Sequence, residues 1–264
     1  MCKLRATRCG TSDKGVYNMA GHSKWANIQH RKGAQDAKKG KVFTKIAKEL
    51  TVAAKLGGGD PSGNSRLRLA MDKARAANMP RDNVDRAIKK GTGEGNDAIY
   101  EDITYEAYGP GGVGLLVRVL TDNRNRSITD VRTVITKRGC AMAEAGSVSW
   151  QFDMKGIIEA PLSAGEDEVM MIALDAGAED VAVDEDIITI ITAPTDYEKV
   201  KKALEDGNIA ISFAEVTMKP QNTIKLESAD AKKLITIVDL LEDLDDVQEV
   251  FGNYEIDDAD LEGM

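Results

Sequence analysis

At 264 residues the chain exceeds one typical domain of roughly 100–200 residues, so two or three compact units are expected. With 42% hydrophobic and 30% charged residues and no run of about 18 apolar positions, it reads as a soluble fold rather than a membrane-embedded one. The formal net charge of −9 conceals a division, because residues 1–92 carry 21 Lys and Arg against 7 Asp and Glu while residues 93–264 carry 14 against 37, which suggests a polyanion-binding head on an anion-repelling body.

The first eighteen residues are polar and basic without an apolar stretch of about 7–15 residues, so they predict a disordered extension or a start at Met19, with an organellar transit peptide as the alternative, rather than a secretory signal. Cys2, Cys9 and Cys140 lack the neighbouring ligand pattern of a zinc site, which favours a reduced, cytoplasmic protein with neither metal nor cofactor.

From Lys41 to Leu56, Val42, Phe43, Ile46, Leu50, Ala53 and Ala54 recur at three- and four-residue steps and predict a helix. Lys41, Lys45, Lys48 and Lys55 fall within about 80° of one another on its opposite side. Gly57 to Asn64 breaks the chain, with Asp60-Pro61 as the expected cap and first-turn pair of a second helix over 62–78. A third helix starts at Pro80 and ends on Lys89-Lys90-Gly91, where cations and glycine both suit a helix C-terminus. GTGEGND, Gly91 to Asp97, has linker composition and coincides with the change of charge sign.

Beyond it the apolar period drops from 3.6 to 2. ITYEAYGPGGVGLLVRVLTD reads as a hairpin around Gly109-Pro110-Gly111-Gly112, and Ser127 with Asp130 makes a capping-box pattern for a helix that stops at Gly139. A strand pair across SVSWQFDMKGIIEA, a helix over 165–177, strands at AEDVAVD and IITIITA, a helix over 197–206 and a strand IAISFAEVTM follow the order of a ferredoxin-like unit. A helix over 229–244 and a strand VQEVFGNYEI close the chain. The fold class expected is therefore α+β in three domains: a helical basic domain over 19–95, a discontinuous α+β domain over 96–146 plus 220–264, and an inserted ferredoxin-like domain over 147–219.

Lysines spaced along a helix can track phosphates and gain affinity by releasing counterions. Trp25 and His22 beside Lys24, His30, Arg31 and Lys32 could stack on an unpaired base. The predicted nucleic-acid contacts are therefore His22, Lys24, Trp25, His30, Arg31, Lys32, Lys38, Lys39, Lys41, Lys45, Lys48 and Lys55. Arg124 and Arg126 join them, because the loop 122–126 enters a helix N-terminus that could hold an anion. The bland alternatives are a solvated helix face for the lysines, a packing role for Trp25 and simple capping for the arginine loop. GPGGVG lacks the GK[ST] ending of a phosphate loop and lies between strands, so it reads as a turn. No nucleophile is paired with a base, so no catalytic residue and no small-molecule substrate are predicted, and Cys140 reads as a small helix-end residue. From Asp239 to Met264 there are eleven Asp and Glu and no Lys or Arg, which suits solubility and repulsion of nucleic acid from the body.

AGHSKWANIQHRKGAQDAKKGKVFTK, LTVAAKLGGGDPSGNSRLR, NMPRDNVDRAIKKG, YEAYGPGGVG, LTDNRNR and LLEDLDDVQEVFGN, in this order, resemble the YebC/PmpR family from Met19 to about Tyr254. The resemblance implies a three-domain cytoplasmic protein, with a helical first domain and two α+β domains. Such proteins are usually described as DNA-binding transcriptional regulators, while organellar relatives resemble translational activators and some bacterial ones act on ribosomes. Nucleic acid, DNA or RNA, and the ribosome are the partners implied; the residues point to a polyanion and are silent on the polymer.

Overall fold

The structure, a computed structural model, describes residues 39–93, 100–184 and 186–256. Helices α1 (Lys39–Gly57), α2 (Ser65–Ala76) and α3 (Arg81–Gly91) form the head. Its core is small, built on Leu50, Ala53, Ala54, Leu67, Ala70, Ala74, Val84 and Ala87. Gly91 is needed there because a Cβ would lie 2.3 Å from the Thr51 carbonyl oxygen, so α3 presses directly on the backbone of α1. The cap of α2 is Asn64, whose side-chain oxygen accepts from the Leu67 N–H, and not the expected Asp60. Asp60 instead folds back to accept from the Ser62 N–H and hydroxyl, closing a local turn.

The second unit is a four-stranded antiparallel sheet in the order β3 (Ala141–Met142), β1 (Glu101–Tyr108), β2 (Gly114–Thr121), β9 (Val247–Gly252). Strand β9 pairs with β2 across an interval of more than a hundred residues. Leu115, Val117 and Val119 of β2 face α4 (Arg124–Lys137) and α7 (Ser228–Glu242), while Leu116 points to the other side. That double burial explains the continuous apolar run GLLVRVLT. Helix α4 begins one turn before the expected Ser127 because Asn123 accepts the Arg126 N–H and caps it. The Ser127 hydroxyl is buried inside the helix and donates to Asp246. A short parallel pair, β8 (Ile224–Lys225) with β10 (Tyr254–Glu255), ties down the end of the described chain.

Between β3 and β8 lies a βαββαβ unit: β4 (Phe152–Pro161), α5 (Glu166–Ala176), β5 (Asp180–Asp184), β6 (Ile187–Thr192), α6 (Tyr197–Asp206) and β7 (Phe213–Pro220). The antiparallel order β5-β6-β4-β7 is that of a ferredoxin-like sandwich. SVSWQFDMKGIIEA holds one strand and not the expected pair, because Ser149–Gln151 makes a 3-10 turn before β4. The Glu106 carboxylate sets that turn by accepting the N–H groups of Gly146, Val148 and Ser149. Burial opposes its charge, but these three bonds prevail and hold its pKa below the ordinary carboxylate value.

Candidate nucleic-acid interface

The head does not stand apart from the body. Asp102 on β1, Arg118 on β2 and Glu249 on β9 share the sheet face opposite α4 and α7, and the head docks there. Arg118 pairs with Glu49 of α1 as well as with Asp102 and Glu249, and Arg66 of α2 pairs with Glu49 and Asp102. Lys73 of α2 joins all three units by binding Glu249 of β9 and, at 2.7 Å, Glu215 of β7. Burial raises the pKa of Glu215, whereas Lys73 and Arg118 overcome burial at Glu249 and hold it charged. Further pairs link Lys201 to Asp72 and Arg68 to Glu198, and Leu69 packs on the ferredoxin-like core.

The lysine stripe of α1 meets the C-terminal end of α7. The Lys45 ammonium donates to the Glu242 carbonyl at 2.5 Å, Lys41 to the Asp243 carbonyl at 3.1 Å, and Lys48 to the Asp245 carbonyl at 3.0 Å. Lys48 also binds the Asp246 carboxylate at 2.9 Å, and Lys41 the Asp243 carboxylate at 3.5 Å. The last carbonyls of a helix have no partner within it and carry its negative dipole end, so three ammonium groups are suited to that place. Desolvation lowers the Lys45 pKa despite Glu242 and Asp243 nearby. Asp246 collects Lys48, Arg126, Ser127 and Thr121; burial disfavours its charge, but bonds from Arg126, Lys48 and Ser127 bring its pKa down to about 2.

Of the expected contacts, His22, Lys24, Trp25, His30, Arg31, Lys32 and Lys38 lie outside the described residues, and Lys39 is described only as the first residue of α1. Lys41, Lys45 and Lys48 are brought together, against carbonyls and carboxylates of the chain itself. Lys55 stays exposed near the other end of α1. Arg124 is exposed at the start of α4, whereas Arg126 spends its guanidinium on Asp246 and Asp122.

In the sequence Arg81, Arg86, Lys89 and Lys90 of α3 stand out only as parts of a helix and its C-terminus. All four are exposed, and none makes an ion pair with another described residue. Arg86, Lys89 and Lys90 share one side by their three- and four-residue spacing, opposite buried Val84, Ala87 and Gly91. That spacing was visible in RDNVDRAIKKG. Beside them, a cleft of about 420 Å³ opens between α1 and α3. Among the described residues no cluster of His, Cys, Asp and Glu is arranged to hold a metal, and no helix is long and apolar enough to cross a membrane. Cys140 is half-buried just after α4, and burial raises its thiol pKa.

Two family models cover nearly all of the chain: the TACO1/YebC protein N-terminal domain over residues 23–94 and the TACO1/YebC second and third domain over residues 100–254. A probable transcriptional regulatory protein of Geotalea uraniireducens is 51% identical over 246 residues, spanning 93% of this chain and 100% of its own. One of the same description from Geobacter sulfurreducens is 52% identical over 246 residues, with the same coverage. The crystal structure of a conserved hypothetical protein from Aquifex aeolicus superposes with a TM-score of 0.74 at 44% identity, covering 84% of this chain and 93% of that one.

Proposed function

The chain belongs to the TACO1/YebC family, and from that premise we propose that it is a non-enzymatic regulator of gene expression whose helical head grips a nucleic-acid backbone. The observation that carries this reading is the set Arg81, Arg86, Lys89 and Lys90, the last three on one side of α3: exposed cations on a helix, without carboxylate partners among the described residues, on a chain of net charge −9. Cations left unneutralised at the expense of charge balance are available to phosphates, and each phosphate bound releases counterions. Lys41, Lys45 and Lys48 serve a different purpose in this reading, because they hold the head on the C-terminal end of α7. The N-terminal residues from His22 to Lys39 would extend the grip.

The relatives' description as probable transcriptional regulatory proteins favours control of transcription, with DNA as the polymer bound and the cytoplasm as its place, as the leading form of this function. Binding to RNA or the ribosome in translation is the second form. It is favoured by the aromatic-lined cleft beside α3, which suits an unpaired base better than a closed duplex. Binding to a promoter fragment and co-sedimentation with ribosomes, both at physiological salt, separate the two. Saturable, sequence-selective DNA binding supports the first; ribosome association with indifferent DNA binding supports the second.

A further inference from the structure

The cleft between α1 and α3 has a composition unlike the rest of the molecule. Although the chain carries 44 Asp and Glu, none of the described residues lining it is a carboxylate. Phe43 of α1 and Tyr100, just before β1, supply two half-buried aromatic rings, and Asn83 a half-buried amide. Arg86 and Lys90 stand exposed at its edge. The floor makes no polar demand, because Thr51 is buried with its hydroxyl donating to the carbonyls of Ala47 and Ala87. The bond to Ala87, which crosses from α1 to α3, and the close approach of Gly91 to the Thr51 carbonyl fix the spacing of the two helices at one end of the cleft, so the walls are preformed.

Aromatic walls, one amide and a cationic rim, with no carboxylate among the described lining residues, match one chemistry in particular: a flat ring with a hydrogen-bonding edge, carrying phosphate. A volume of about 420 Å³ is at the small-ligand end of binding cavities, which commonly run to roughly 300–1,000 Å³. We infer that this cleft receives one unpaired nucleotide of a single-stranded nucleic acid, its base against Phe43 and Tyr100, its edge read by Asn83 and its phosphates held by Arg86 and Lys90. The inference rests on the nucleic-acid reading above and sharpens it, because it makes the head a reader of exposed bases as well as of backbone.

The test uses the full chain with a fluorescent twelve-nucleotide oligo-adenylate, the duplex it forms with its complement, and AMP alone. The single strand binds more tightly than the duplex. Tyr100→Ala weakens single-strand binding about 5- to 150-fold, the range of one base–aromatic stack, leaves duplex binding unchanged, and Tyr100→Phe restores the loss. Arg86→Gln with Lys90→Gln weakens both polymers and reduces the single-strand salt slope by about 1.4. Single-strand affinity indifferent to Tyr100→Ala and to the double substitution, with both polymers still bound, overturns the cleft while leaving backbone binding intact. Saturable AMP binding without preference for the single strand overturns the polymer assignment. Failure to bind either polymer in dilute salt overturns both this inference and the function it rests on.

Discussion

Asp246 shows how one side chain can hold two units together. It is 8% exposed, yet it accepts from a helical-head lysine, from an arginine and a serine of α4, and from Thr121 at the end of β2. Its pKa, depressed from 3.8 to about 2, means that the folded chain favours the charged form. The stabilisation is complete above the ordinary carboxylate value and is lost as pH falls through about 2; the shift corresponds to about 2 kcal/mol. Asp246→Asn is expected to cost about 2–4 kcal/mol near neutrality, since it leaves Lys48 and Arg126 undercompensated. It also flattens the acid limb of a denaturant-derived stability profile between pH 4 and 2. An unchanged acid limb would show that Asp246 is not the group responsible. The sequence offered no route to this residue: LEDLDD reads as uniformly solvated acid, and only the return of β9 to β2 places one of its carboxylates under α1.

At the scale of elements, periodicity located the helices and strands well, and local competition for caps decided their ends. Asn64 and Asn123 displaced the expected Asp60 and Ser127 because each accepts the N–H three residues on. The lysine stripe was legible as a stripe, since the 3.6 period identifies the side of α1 turned from the core of the head. The period carries no information about a second body covering that side, and the C-terminal end of α7 does so. Replacing Lys41, Lys45 and Lys48 with Glu therefore sets three carboxylates against a negative helix end and Asp246, a like-charge contact worth several kcal/mol. The triple variant is expected to keep its far-UV helicity, lose thermal stability and show a larger radius of gyration in X-ray scattering, as the head leaves the sheet. An unchanged radius with undiminished stability would mean that these lysines contribute nothing to docking.

Over the whole molecule, charge segregation has two uses. Part of the cationic excess of the head is consumed inside the chain, by Glu49, Asp102, Glu215, Glu249 and the end of α7, and this fixes the relative placement of three units. Partly exposed pairs of this kind add little stability individually, but their number and mutual geometry specify one arrangement. Among the cations of the head that stay outward are Arg81, Arg86, Lys89 and Lys90 of α3, and the central claim is that these bind phosphate. The most direct measurement is the salt dependence of polynucleotide affinity for the intact chain and for a variant with Arg81, Arg86, Lys89 and Lys90 all changed to Gln. The affinity of the parent chain should fall linearly on logarithmic axes, and the variant should lose roughly 0.7 of slope for each contact removed on a single strand or about 0.9 on duplex DNA, with its thermal unfolding unchanged. A variant that binds as tightly as the parent, with the same salt slope, would contradict the claim.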